Sequence, residues 1–217
     1  MIVSPHLDDA VFACGDVMAG CPGVTVVTLF AGGPPAGAPL TPWDADAGFR
    51  AGDDVMAARR EEDRRALARL RARAVWLDFL DAQYGGSPEV ASLAATLAEV
   101  LGREAPATVY FPLGLFHSDH LLASDACLAL AGAGRTRGWL VYADALYRAY
   151  DGLLPRRLAA LREQGFQLAA LPGARPASAL KCAAMAEYAS QLRALHTPGR
   201  PGIADALAPE QLWRLTT

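Results

Sequence analysis

The chain has 217 residues, 53% of them hydrophobic, and a formal net charge of -3 with a pI near 5.8. That length suits one domain with a full core, and the slight acidity excludes the basic footprint of a nucleic-acid binder. The longest apolar stretches, such as Val24 to Ala31, fall well short of the roughly 20 residues of a membrane helix.

The elements follow one another as short β-branched runs alternating with Ala/Leu-rich segments of helical period, the sign of βαβ units. Expected strands are Ile2–Ser4, Val24–Phe30, Ala74–Phe79, Thr108–Phe111, Leu140–Asp144 and Phe166–Leu171. Expected helices are Ala10–Ala19, Val55–Ala72, Pro88–Gly102, His120–Ala131, Arg156–Gln164 and Ala177–Leu195. Ser87-Pro88 reads as a helix start and Gly102 as a stop. The fold class is α/β, Rossmann-like and three-layered, with a mostly parallel sheet of five to six strands. One domain spans 1–217. Within it, the Gly/Pro/Ala-rich stretch 31–54 reads as a flap carrying Trp43, Asp44 and Phe49. The proline-rich tail 196–217 reads as a surface wrap with one short terminal helix and no chemistry. Because the first strand begins on Met1 and is unusually short, residues of strand are expected upstream of it. No basic segment followed by an apolar one opens the chain, so the expectation is a cytoplasmic protein. Cys14, Cys21, Cys127 and Cys182 lack CxxC spacing and read as reduced thiols.

In open α/β sheets ligands gather beyond the carboxyl ends of the strands, so the residues that follow each strand carry the most weight. Two clusters stand there. Ser4-Pro5-His6-Leu7-Asp8-Asp9 follows the first strand, and His117-Ser118-Asp119-His120 follows the fourth. A catalytic zinc site uses three protein ligands from His, Asp and Glu and keeps a position open for water. His6, one of Asp8 and Asp9, and one of His117 and His120 meet that need, leaving the centre with a net positive charge that acidifies water. Two adjacent carboxylates do not both point comfortably at one ion, so the other aspartate becomes a general base. The remaining histidine, oriented by Asp119, then faces the oxyanion or the leaving amine. The competing reading of the first cluster alone is a strand-end turn in which Asp8 or Asp9 caps the next helix. The same ligand types also describe a non-haem iron triad. Spacing does not decide which aspartate and which histidine touch the ion.

These clusters, together with Arg59-Arg60-Glu61-Glu62-Asp63, Asp78-Phe79-Leu80-Asp81, Lys181 and Tyr188-Ala189-Ser190-Gln191-Leu192, resemble the LmbE/PIG-L family of zinc-dependent N-acetylglucosaminyl deacetylases over most of the chain. The resemblance implies His6, Asp9 and His120 as metal ligands, Asp8 as general base, His117 at the oxyanion or leaving amine, and Asp119 as the partner of His117. Leu7, Ala10 and Ser118 stand at places where relatives often carry Pro, Glu and Pro, and Leu115 stands where some carry an assisting tyrosine. Arg59 matches an arginine that contacts substrate in relatives. Its alternative is a solvated helix face with ion pairs such as Glu61 to Arg65. Asp81, Trp43 and Tyr84, and with them Asp44, Tyr147 and Tyr150, are candidates for lining a sugar pocket.

The expected cofactor is Zn2+, with Fe2+ also compatible with two imidazoles and one carboxylate. The expected partner is an N-acetylated amino sugar or glycoconjugate, with no nucleic acid and no membrane span. The expected reaction is removal of an N-acetyl group. The alternatives are an amidase of a larger amino-sugar conjugate or natural product, and a non-catalytic sugar- or nucleotide-binding module. The absence of a G-x-G-x-x-G loop after the first strand speaks against that module.

Overall fold

The β-branched and aromatic runs become the strands of one sheet because their alternate side chains find helices on both faces. The computed structural model describes residues 1–35, 37–133, 138–172 and 177–216, so Ala36 of the expected flap and Thr217 of the tail lie outside the described residues. Among the described residues the sheet has seven strands, one or two more than expected: β1 (Ile2–Ser4), β2 (Thr25–Thr28), β3 (Arg73–Trp76), β4 (Thr108–Pro112), β5 (Gly138–Tyr142), β6 (Gln167–Ala170) and β7 (Leu212–Thr216), in the order β3-β2-β1-β4-β5-β7-β6. β1 to β5 run parallel, and β7 pairs antiparallel with both β5 and β6. The tail therefore ends in a strand inside the sheet rather than in a terminal helix. Arg214 stands in register with Leu140 on one side and Ala169 on the other.

Among the described residues eight α-helices accompany the sheet: α1 (Asp9–Gly20), α2 (Pro42–Asp46), α3 (Val55–Arg69), α4 (Val90–Glu104), α5 (Ser118–Gly132), α6 (Leu153–Glu163), α7 (Ala179–Met185) and α8 (Ala189–Leu195). Alternation along the strands divides the core into two layers. Val3, Val27, Val109, Phe111 and Val141 pack with Leu93 and Leu97 of α4 and Ala126 and Cys127 of α5. Ile2, Val26 and Tyr142 face the opposite layer, with Phe12 and Cys14 of α1, Leu67 of α3 and Ala184 of α7. Cys14 and Cys127 are buried, Cys21 and Cys182 are exposed, and all four are free.

Several helices depart from expectation. α4 starts two residues beyond Pro88 with Glu89 at its N-cap, and runs through Gly102 to a left-handed Ala105. The helix expected over 177–195 is broken in two around Tyr188, whose hydroxyl reaches Leu7 and Asp63. The expected flap holds α2, whose Thr41 N-cap accepts from the Asp44 amide.

What positions the site is the reversal of chain direction across the sheet. From β1 the chain builds outward through β2 and β3, and from β4 outward through β5, so β1 and β4 are the adjacent strands at the switch point. The crevice beyond their carboxyl ends is where an open α/β sheet receives its ligand. Residues 6–9 leave β1 there and residues 117–120 leave β4.

Candidate metal and active site

The turn after β1 is held by the Ser4 and Asp9 side chains bonding to its backbone. The Ser4 hydroxyl donates to His6 O (2.5 Å) and accepts from Ala10 N (3.0 Å), while His6 N donates to Asp9 Oδ2 (2.9 Å). Asp8 occupies the N-cap position of α1, yet its carboxylate makes no capping bond. The capping reading of this aspartate therefore fails, and Asp8 lines the cavity instead.

Asp9 Oδ2 lies 3.2 Å from His6 Nδ1 and 3.1 Å from His120 Nε2. Although that second approach is close, His120 Nε2 is buried without a hydrogen-bond partner. Two ring nitrogens and a carboxylate oxygen thus converge, all within 4.8 Å of one another. The remaining nitrogen of each imidazole meets a carboxylate. His6 Nε2 faces Asp119 Oδ2 at 3.0 Å, and His120 Nδ1 faces Asp144 Oδ1 at 2.6 Å. With its proton on that outer nitrogen, each ring turns a lone pair toward Asp9, the carboxylate–histidine arrangement that orients metal ligands. Such a donor set fits a divalent ion of the zinc or iron type.

A second group, His6, Asp81, His117 and Asp119, also has ligand atoms within 4.8 Å. Two of its donor atoms already serve hydrogen bonds within the protein: Asp119 Oδ2 accepts from His6 and from Ala82 N (3.0 Å), and His117 Nδ1 accepts from Asp119 N (3.2 Å).

Asp119 was expected to partner His117. The closest approach of its carboxylate to that ring is 3.9 Å, against 3.0 Å to His6. Its link to His117 runs through its backbone amide, with His117 as the N-cap of α5. Because Nδ1 of His117 is an acceptor, the proton of the neutral ring sits on Nε2. Burial and the neighbouring His6 and His120 rings hold its pKa below the ordinary value. For Asp8, burial and the adjacent Asp9 raise the carboxyl to about 6, with Arg59 acting in the opposite direction.

Asp144 went unnoticed in the sequence because it reads there as the last residue of a strand. The signal was nevertheless present, since a carboxylate at the carboxyl end of a strand in this class of fold is placed to serve a site. Its Oδ2 accepts from Gly114 N (2.9 Å). Gly114 has φ +83°, and a Cβ there would lie 2.8 Å from Ser124 Cβ, so the loop leading to His117 needs a glycine at this point.

The charged run of α3 splits into two faces. Glu61, Arg64 and Arg65 pair with one another in solvent. Arg59, Glu62 and Asp63, at helical spacing, are buried. The Arg59 guanidinium lies 3.9 Å from Asp8 Oδ1 and leaves its Nε unpartnered. Glu62 accepts from Ser190 N (2.9 Å) and Ser190 Oγ (2.6 Å). Asp63 accepts from Trp76 Nε1 (2.7 Å) and lies 2.7 Å from the Tyr188 hydroxyl, which is also 3.0 Å from Leu7 O. Burial pushes the Asp63 carboxyl up to about 7.

A cavity of about 340 Å³ opens over this floor, lined by Asp8, Asp9, His6 and His117 and by Arg59, Asp81 and Trp43 of the expected pocket. Tyr84 is not among its lining residues. That hydroxyl donates to Asp44 Oδ2 (2.9 Å) and the ring packs on the Leu7, Ala31 and Met56 cluster. The tail expected to carry no chemistry supplies part of the wall through Arg200 and Pro201, with Arg200 over the Trp43 ring at 4.9 Å. Among the described residues no helix is long and apolar enough to cross a membrane.

Comparison with solved structures places the chain near a deacetylase triple mutant from teicoplanin biosynthesis, at 26% identity over 99% of this chain and 96% of that one, with a TM-score of 0.82. The deacetylase of the A40926 pseudoaglycone is 28% identical over 99% and 96%, with a TM-score of 0.79. The N,N'-diacetylchitobiose deacetylase of Pyrococcus horikoshii shares the fold at 17% identity over 88% and 69%, with a TM-score of 0.55. No curated protein matches in sequence. The PIG-L family model, described as GlcNAc-PI de-N-acetylase, matches residues 1–131, a span that contains both His/Asp clusters. With that match the resemblance read from the residues becomes membership: this chain belongs to the PIG-L family of deacetylases.

Proposed function

We propose that the protein is a metal-dependent amidohydrolase that removes an N-acetyl group from an amino sugar of the N-acetylglucosamine type, with His6, Asp9 and His120 holding Zn2+ or Fe2+. The observation that carries this reading is the convergence on Asp9 Oδ2 of two imidazole nitrogens, one of them buried and unpartnered, each ring braced from behind by a carboxylate. A divalent ion held there supplies Lewis acidity that polarises an amide carbonyl and acidifies water.

The chain's own groups do the rest. Asp8, free of capping and beside the ligand set, takes the proton from the attacking water. His117 presents Nε2–H as a hydrogen-bond donor to the oxygen that gains charge, and the proton that Asp8 took from water passes on to the departing nitrogen, so the C–N bond breaks to a neutral amine and Asp8 returns to its carboxylate. Asp119 N keeps the His117 ring in that tautomer. Arg59, Asp81 and Trp43, which line the cavity, hold the sugar in this reading.

A second reading keeps the site and enlarges the substrate to an amino-sugar conjugate. It is supported by the teicoplanin-pathway deacetylase and the A40926 pseudoaglycone deacetylase among the similar structures. The test measures acetate release from N-acetylglucosamine and from such conjugates, with and without chelator, alongside metal analysis. About one ion per chain and chelator-sensitive acetate release are expected. Absence of a tightly bound ion would favour a non-catalytic binding module instead.

A further inference from the structure

We propose that Phe116, Tyr147 and Tyr150 form a subsite on the wall of the cavity that holds a flat aromatic substituent of the sugar substrate, an inference that rests on the deacetylase reading above. Phe116 is 63% exposed and Tyr150 37%, the only aromatic side chains among the exposed large hydrophobic residues described. The two rings are 5.2 Å apart, and Phe116 is 5.3 Å from Tyr147. Tyr147 in turn is stacked beside His117 at 6.4 Å and meets His120 edge-on at 5.1 Å. The three rings are therefore one surface that starts at the ligand cluster and runs outward, and all three line the same cavity as His6, Asp8 and Asp9.

Burial does not account for the placement of Phe116. It sits at φ +61°, and Leu146, immediately before Tyr147, sits at φ +71°. Bulky residues avoid this left-handed region, and such conformations concentrate at functional sites. Both bends fall directly ahead of a cavity residue, one ahead of His117 and the other ahead of Tyr147. Phe116 and Leu146 both line the cavity, Phe116 exposed and Leu146 buried.

The occupant follows from the geometry. Tyr147, in contact with both histidines, is within reach of the sugar that carries the amide. Phe116 and Tyr150, one ring further out, are reached by what that sugar bears. Rings offset or edge-on at 5–6 Å attract a further aromatic ring through their quadrupoles beyond the simple removal of apolar area.

The test compares acetate release from free N-acetylglucosamine with release from its 4-nitrophenyl glycoside. It also measures, by calorimetry, binding of the already deacetylated 4-nitrophenyl glucosaminide. The wild-type protein is expected to prefer the aryl glycoside by about tenfold in kcat/KM. In Phe116→Ala and Tyr150→Ala that ratio falls toward one through a higher KM, and the aryl glucosaminide binds correspondingly more weakly. Equal kcat/KM for the two substrates in the wild type, or equal losses on both in the variants, overturns the subsite. If neither compound releases acetate, the deacetylase assignment fails, and the calorimetric arm alone then decides the subsite. Unchanged aryl binding in Phe116→Ala counts against it, and weakened binding supports it.

Discussion

Replacing Asp144 by asparagine isolates the role of a residue that touches neither the cavity nor the proposed ion. Its two oxygens are both acceptors: Oδ1 for His120 Nδ1–H at 2.6 Å and Oδ2 for Gly114 N–H at 2.9 Å, in a side chain that is almost completely buried. An amide of the same shape offers one acceptor and one NH2. One of the two donors must then face another donor with no water to turn to, which costs about 1–3 kcal/mol. If the amide turns its NH2 toward His120, the imidazole is driven to the opposite tautomer and its proton moves to Nε2, the nitrogen that faces Asp9. With about 1.4 kcal/mol per decade, Asp144→Asn is expected to weaken Zn2+ binding by about 10–100-fold, the range found for the partners of metal-ligating histidines. The assay is competition for Zn2+ against a chelating dye at pH 7, accompanied by urea unfolding of the metal-free protein to separate affinity from stability. A variant that folds normally and binds Zn2+ within about twofold of wild type would refute the bracing argument.

The other expectations concern the base, the packing and the pH response. Asp8→Ala is expected to keep about one ion per chain while turnover falls by about 10²–10⁴-fold; unchanged turnover sinks the base assignment. In Gly15→Ala the new Cβ lies 2.6 Å from Lys181 Cγ. Lys181 is fully buried with its Nζ 2.9 Å from Glu210 Oε1, so it has little room to yield. A loss of about 1–3 kcal/mol in urea unfolding is expected, and a change below about 0.5 kcal/mol would show that the packing relaxes freely. For Asp63, the unfolded chain releases the carboxyl proton near the ordinary value of 3.8, whereas the folded protein retains it to about 7. The folded state binds more protons in that window, so this group's contribution to stability falls as pH rises from about 4 to 7. Asp8 acts in the same sense and Arg59 against it, while Trp76 and Tyr188 donate to the ionised form. Asp63→Asn is expected to flatten the stability profile across those pH values, and an unaltered slope would remove Asp63 as a contributor.

By itself the sequence determined the α/β class, most of the element order, and the two His/Asp clusters at strand ends. These are local statements. Alternation and helical period are written within a dozen residues, and His6 to Asp9 or His117 to His120 can be seen without knowing what lies opposite. Only the tertiary structure decided which groups meet. Asp119 turned to His6 rather than to His117, and Asp144, 24 residues from His120, proved to be its brace. Charge in the α3 run suggests solvent at every position. Burial of Arg59, Glu62 and Asp63 depends on Asp8, Ser190, Trp76 and Tyr188 arriving from distant elements to satisfy them. Tyr84 has the composition of a pocket residue, yet Asp44 drew its hydroxyl away. The last strand reads as tail because its register comes from β5 and β6 on either side. A side chain's type is carried along the chain, whereas its partner, and with it the chemistry it performs, is set by residues that only folding brings into contact.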